Sequence, residues 1–416
     1  MLVHSMQRRT FSRRAGNPGR WLRRSVLDAI TGLTLQLRLR SVQSPSQHVS
    51  RMTTLPPMPV RDLALDVLRG ASVAGMILVN TPGSWAHVYA PLRHADWHGL
   101  TPTDLVFPFF LFIVGAAMAH TLHRVGVERA ALLRAALRRG VLLIAIGVLL
   151  NAYPFLGGID SLRLPGVLQR IGLCILIATP MLLWLRGPRL WLGALILLTL
   201  YLAAMLAGGA DQAWTLEHNA VRRLDLAVFG ASHLWQGYGL AFDPEGLLST
   251  LPAVLTVLIG HACARALHDD SRRASTPRWL ALTAALLAVG GLCIAPWIPV
   301  NKALWTPSFV GLSAAAAIAV LLALRALLRL AVARRLSLPL QAYGLNPLLL
   351  YVLAWLWAAS YPLIRIGEDD LQTWLFTHMA IALPPALASL LFALAHVLAL
   401  GALALWLMRR RIVVRL

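Results

Sequence analysis

Lysine is almost missing from this chain of 416 residues: Lys302 is the only one, and arginine supplies every other basic side chain apart from histidine. Charge is scarce altogether, at 13% of residues, where an ordinary soluble domain carries about 25%. With 58% apolar residues, the chain is neither a soluble globular enzyme nor a disordered one. Acidic residues are scarcer still, 17 against 38 Lys and Arg, which leaves a net charge of +21. That excess does not read as a nucleic-acid surface, because the arginines are bunched between apolar segments; no nucleic-acid partner is expected. Cysteine is down to Cys174, Cys263 and Cys293, each inside an apolar run. With no CxxC and no ligand-like spacing, they exclude a disulfide scaffold, offer no metal site and read as small buried thiols. No internal repeat is visible.

What the chain has in abundance is apolar segments long enough to cross a bilayer. Their cores fall at 63–80, 105–122, 141–156, 167–185, 190–206, 246–264, 279–296, 307–328, 345–361 and 386–408. The fold class is therefore all-α, a polytopic transmembrane helix bundle of about ten spans. Links after alternate helices carry the arginines: Arg124 to Arg139, Arg186 and Arg189, Arg265 to Arg278, Arg325 to Arg335, then Arg409 to Arg415. The other links carry the acids. The positive-inside rule then predicts both termini in the cytoplasm, with 81–104, 207–245, 297–306 and 362–385 facing outward. A multi-pass protein of a bacterial inner membrane is expected, with the lipid bilayer as its surroundings and a second copy of the chain as a candidate partner. Trp85, Trp97, Trp214, Trp235, Trp297, Trp305 and Trp374 lie in or beside the outward links and read mostly as an interfacial belt.

Residues 1–60 differ. They are Arg- and Ser-rich. Gln7 to Arg13 resembles a twin-arginine export signal, but the apolar stretch Val26 to Leu37 is interrupted by Asp28 and Gly32 and is weak for one. The segment reads as a basic disordered arm or as sequence upstream of a later start at Met52 or Met58. Residues 61–416 form the membrane domain.

Polar side chains at membrane depth are costly and mark function. The densest stretch runs from Asn80 to Asp104 and holds His94, Asp96, Trp97 and His98. A histidine beside carboxylates can act as a general base, and an amide such as Asn80 can donate to a developing oxyanion. A second cluster is Arg163 to Arg170, where Pro165 and Gly166 suit a helix start. Arg170, one turn inside, needs a partner such as Asp66, although Asp66 and Arg69 can also pair locally. In the third, Asp243 reads as the N-cap of a helix with Glu245 in its first turn; the two acids could also hold an ammonium or sugar hydroxyls. Asn301 and Lys302 share an outward loop. Asn346 is placed to cap a buried helix start.

Together these segments resemble the heparan-α-glucosaminide N-acetyltransferase family of membrane acetyltransferases. The resemblance rests on Leu65 to Gly70, Met76 to Asn80, His94 to Thr101, Asp104 to Phe109, Arg163 to Arg170, Phe242 to Gly246, Ile298 to Lys302 and Gly344 to Asn346, in family order. It implies acetyl-CoA as the donor co-substrate, with no metal, and the amine of a glucosamine-type sugar as the acceptor. It also implies His94 as catalytic and Asn80 as its active-site partner; Asp104 completes the catalytic candidates. Substrate-binding candidates are Asp243, Glu245, Asn301, Lys302 and Trp97. Structural or cofactor-binding candidates are Asp66, Arg69, Arg163, Arg170 and Asn346. The chain departs from the family pattern at Asp96, at His98 and in the Thr-Pro-Gly-Ser run after Asn80. A direct transfer and one through an acetyl-histidine are both open at this point. An amino-sugar transporter is the alternative function, although no inverted repeat or paired broken helices are visible. A non-catalytic scaffold has no need of His, Asn, Arg and Asp at the membrane boundary.

Overall fold

The computed structural model describes residues 62–122, 126–209, 211–268 and 275–414. The basic arm with its arginine pair and alternative starts, and Arg124, Arg272, Arg273 and Arg415, lie outside the described residues.

The described residues form fourteen α-helices: α1 Leu63–Asn80, α2 Val106–Leu122, α3 Arg129–Ala152, α4 Val167–Trp184, α5 Pro188–Leu206, α6 Ala220–Phe229, α7 Thr250–Leu267, α8 Thr276–Ile294, α9 Pro307–Leu327, α10 Ala331–Leu336, α11 Leu338–Leu345, α12 Pro347–Ser360, α13 Leu371–Ala382 and α14 Pro385–Arg409. The only strands among them are β1 Arg365–Ile366 and β2 Asp369–Asp370, a two-residue antiparallel pair. Eight helices are long and apolar enough to cross a membrane, and the bent pair α11–α12 makes up to nine. The remaining expected span is α3, whose first half carries Arg129, Arg134, Arg138 and Arg139. The chain is thus an all-α polytopic membrane bundle.

Local chemistry sets the helix ends. The Asp62 carboxylate caps α1 by accepting from Ala64 N at 3.0 Å, which satisfies one of the free amides of the first turn. Asp370 caps α13 through Thr373 N at 2.9 Å. α6 and α13 fall inside stretches expected to be outward links; each is too short to cross a bilayer. The start expected near residue 246 lies at Thr250, and its N-cap Ser249 makes no side-chain cap bond. Asn346 does not cap a helix with its side chain. It sits at an 89° break between α11 and α12, where Pro347 has no amide to continue the ladder. Its amide instead donates to Ile412 O at 3.0 Å and accepts from Val414 N at 2.7 Å, tying the break to the C-terminal segment.

Packing divides the spans. α1, α2, α4 and α7 have more than half of their lengths buried, whereas α5 has 17% and α8 11%. These two are outer helices with apolar faces turned outward, as a lipid-facing span requires. Cys293, on α8, is exposed and not buried, unlike Cys174 and Cys263. A tight seam joins α2 to α7. A Cβ on Gly115 would lie 1.9 Å from Val257 O, and one on Gly260 the same distance from Phe112 O. Only glycine allows backbones this close, and close approach is what drives helix association where lipid replaces water.

The up-and-down course gives the bundle two unlike ends. At one, the Arg325 guanidinium of α9 pairs with Asp62, and His120 of α2 packs edge-on to His268 with centroids 4.3 Å apart. The other end receives the end of α1 and the starts of α2, α4, α7 and α9, and there the polar loops converge.

Candidate active site

A short 3-10 turn, Pro102–Leu105, leads into α2 and carries Asp104. The Thr-x-x-Asp spacing makes it a capping box: Asp104 Oδ2 accepts from Thr101 N at 3.0 Å and Thr101 Oγ1 at 2.9 Å. The same oxygen accepts from Ala95 N at 3.1 Å. With Oδ2 spent on the backbone, Oδ1 is left for His94, whose Nδ1 lies 2.6 Å away. An ionised carboxylate can only accept, so Nδ1 carries the proton and Nε2 keeps a lone pair. Asp104 is 1% exposed, so the imidazole is oriented from beneath by a buried, fully engaged carboxylate.

Lys302 completes the group. Its Nζ lies 3.0 Å from His94 Nδ1, 3.5 Å from Nε2 and 3.5 Å from Asp104 Oδ1. Burial, then the Lys302 ammonium, push the His94 imidazole down to about 4, against the pull of Asp104. Burial likewise lowers Lys302, while Asp104 and Glu245 support its charge.

His94, Asp104 and Lys302 line a cavity of about 100 Å³ together with Asn80, Trp97, Arg163, Trp235, Tyr238 and Glu245. Asn80 is the last residue of α1. Its amide makes no hydrogen bond to another described residue, and the end of α1 is closed by Thr81, whose N and Oγ1 donate to Ile77 O at 3.1 and 2.9 Å. Asn80 is therefore free to meet a ligand. Trp97 fixes its ring by donating Nε1 to Trp214 O at 2.8 Å and packs edge-on to Tyr238 and Phe242.

Four sequence expectations change here. Asp243 caps no helix and is 0% exposed. It takes a bidentate pair from Arg163, Nε to Oδ2 and Nη2 to Oδ1, both at 2.8 Å, and accepts from Glu245 N at 3.1 Å. Its Oδ2 also accepts from Trp235 N at 3.3 Å, so both oxygens are engaged within the protein. Glu245 Oε2 accepts from Arg163 Nη2 at 2.7 Å, and Glu245 borders the cavity; burial raises its carboxyl, against the Arg163 charge. Burial alone would lower the Arg163 guanidinium, but Asp243 and Glu245 outweigh it and raise it.

Asn301 is also committed inside the protein: Nδ2 donates to Trp97 O at 2.9 Å, Oδ1 accepts from Leu304 N at 2.8 Å, and it is 0% exposed. These bonds hold its loop against the loop that carries Trp97. Arg170 does not pair with Asp66, which bonds Arg69 at 3.0 Å, three residues along α1. Arg170 lies wholly buried in α4, where Nη2 donates to Gly246 O at 3.0 Å and to the Ser249 hydroxyl, and its guanidinium sits 5.2 Å over the Trp305 ring. Asp66, Arg69 and Asn346 do not line the cavity. Finally, Trp235 and Trp305 are no interfacial belt: they are 5% and 1% exposed, whereas Trp297, at 74%, is outward.

Tyr238 and Trp235 were not among the candidates, nor was Asn151, whose amide donates to Arg163 O at 3.0 Å and Pro165 O at 2.9 Å. Trp235-Gln-Gly-Tyr238 has no helical or strand period, so only the tertiary fold brings these rings to the cavity. The Thr101–Asp104 capping box was open to reading from its spacing.

The family model for the heparan-alpha-glucosaminide N-acetyltransferase catalytic region matches residues 61–294, more than half of the chain. The human heparan-alpha-glucosaminide N-acetyltransferase is 30% identical over 320 residues, covering 62% of this chain and 47% of its own length. Its mouse counterpart is 28% identical over 305 residues, covering 59% and 46%. The chain thus spans about half the length of the curated relatives it matches. His94, Asn80, Asp104, Arg163 and Glu245 fall inside the matched region, whereas Lys302 lies beyond its end.

Proposed function

Because the chain belongs to the heparan-alpha-glucosaminide N-acetyltransferase family, we propose that it is a membrane-embedded acetyltransferase. It moves an acetyl group from acetyl-CoA to the amine of a glucosamine-type sugar. The observation that carries this reading is the His94–Asp104 pair at 2.6 Å beside the uncommitted amide of Asn80, at the edge of one cavity.

Each part has a chemical task. The acceptor nitrogen attacks the thioester carbonyl, and His94 Nε2 takes the proton that the nitrogen must lose. Asp104 holds the ring in the tautomer with the proton on Nδ1. The Asn80 amide donates to the oxygen on which negative charge develops. When the intermediate collapses, the C–S bond breaks and the CoA thiolate leaves, receiving the proton from the imidazolium. Glu245 borders the same cavity and suits the acceptor ammonium before deprotonation. In this reading the arginine-rich end of the bundle lies in the cytoplasm of a bacterial inner membrane and the site end opens outward.

Purified protein in detergent should transfer label from acetyl-CoA to glucosamine. H94A should abolish transfer while keeping acetyl-CoA binding, and N80A should lower turnover by about 10²–10³. An H94A protein with more than a tenth of wild-type turnover would reject His94 as the base. Uptake of the sugar into vesicles with no covalent change would favour a transporter instead.

A further inference from the structure

Lys302 is the chain's only lysine, and the fold spends several contacts to hold it against His94. The loop that carries it is bolted to the histidine's own loop. Val300 O accepts from Gly99 N at 2.8 Å, and Asn301 Nδ2 donates to Trp97 O at 2.9 Å. Thr306 Oγ1 accepts from Asn301 N at 3.0 Å and donates to Pro299 O at 2.8 Å, which closes the loop on itself. Trp305 N donates to Lys302 O at 3.1 Å, and Trp305 has φ 54°, a left-handed backbone that a bulky aromatic residue rarely adopts. Its ring is locked between Phe107 and Phe309 and beneath Arg170. A strained, over-determined turn therefore fixes the lysine backbone beside the site.

The placement has an electrostatic meaning. An ammonium has three donors and no acceptor. It cannot bond Nδ1 of His94, whose proton already goes to Asp104. Its available partners are Asp104 Oδ1 and the lone pair of Nε2, both at 3.5 Å. A buried carboxylate alone would favour the imidazolium, and a histidine already protonated cannot remove a proton. The cation next to the ring opposes that effect. We propose that Lys302 is a positioning residue for His94: its ammonium offsets the Asp104 charge, keeps the imidazole neutral with its proton on Nδ1, and so keeps Nε2 ready to accept the proton of the acceptor amine.

The other ionisable groups around the cavity do not replace it. Arg163 is committed to Asp243 and Glu245, Glu245 is its partner, and Tyr238 brings only a phenol. His98 lies exposed on the same loop, 3.3 Å from Asn301 Nδ2. From α1 the cavity receives the uncharged Asn80.

The proposal rests on the acetyltransferase reading for its consequence and not for its test. The first measurement is the pH dependence of His94 carbethoxylation by diethyl pyrocarbonate, followed by mass spectrometry of the His94 peptide. The reagent takes only neutral imidazole, and no transfer activity is needed. In K302M the midpoint should move up by about one pH unit or more, and K302R should stay near wild type. The second is kcat/KM for acetyl transfer against pH, where the acid limb should move in the same direction in K302M and be restored in K302R. Should K302M not hold its fold, K302Q removes the charge and keeps a polar end, with the same expectation. An unchanged His94 midpoint in the neutral variants would overturn the proposal, as would an acid limb that keeps its position while only the plateau falls. A wild-type protein with no transfer at all would defeat the acetyltransferase reading and leave the carbethoxylation result to decide this one.

Discussion

Asn301 Nδ2 donates to the carbonyl of Trp97 at 2.9 Å, joining two loops 204 residues apart in sequence through one buried amide. This bond sets the distance between the loop that bears His94 and the loop that bears Lys302. N301A leaves the Trp97 carbonyl and the Leu304 amide without their partner, each at about 1–3 kcal/mol when buried. The thermal midpoint and acetyl transfer should both fall, measured on the same preparation. A rise in KM with an unchanged midpoint would instead mean that Asn301 meets the substrate.

Arg163 and Asp243 form the other brace. Removing the guanidinium in R163M leaves the Asp243 carboxylate buried, at 0% exposure, without a counter-charge, a loss of about 3–5 kcal/mol. R163K keeps the charge but loses the two-pronged geometry, so its denaturation midpoint should lie between R163M and wild type. Comparing the three in detergent separates charge from shape.

Asp225 predicts a pH effect away from the cavity. Burial raises its carboxyl from 3.8 to about 7. The folded state therefore binds a proton that the unfolded chain has released, and this group's contribution is full below 3.8 and lost as pH rises through about 7. D225N should gain on wild type in thermal midpoint between pH 5 and pH 8. An equal difference at both values would contradict it.

At the α2–α7 seam, G260A puts a methyl group 1.9 Å from Phe112 O. The helices must separate, so the variant should lose several kcal/mol or fail to accumulate as a monodisperse protein in size-exclusion chromatography. Alanine at Gly290, where a Cβ meets nothing within 4 Å, is the matched control and should leave the midpoint nearly unchanged.

Much of the architecture was legible in the sequence because apolar length is a local property. Each expected span has a helix at its place, and the misses fall where tertiary contacts override local signals. Asp243-Pro-Glu245 has the spelling of a helix start, yet the Arg163 fork outcompetes the backbone for its carboxylate. Asn346 before Pro347 has the spelling of a cap, but the amide finds the returning C-terminal strand of chain. The polar stretch Asn80–Asp104 stood out by density alone. Its coupling to Lys302 did not, because nothing local to residues 297–306 says which loop they will meet. Trp235 and Tyr238 read as membrane-edge or loop aromatics for the same reason.

The close approach of α2 and α7 at Gly115 and Gly260 has a consequence for traffic through the protein. Two helices whose backbones touch cannot part by a side-chain rotation. α2, which begins just after Asp104, is held at a fixed height against α7, which begins just after Ser249. The carboxylate that orients His94 and the hydroxyl that receives Arg170 therefore ride on one rigid wedge. A long flexible arm reaching the cavity from the far end of the bundle has to go around that wedge, because no path runs between its halves.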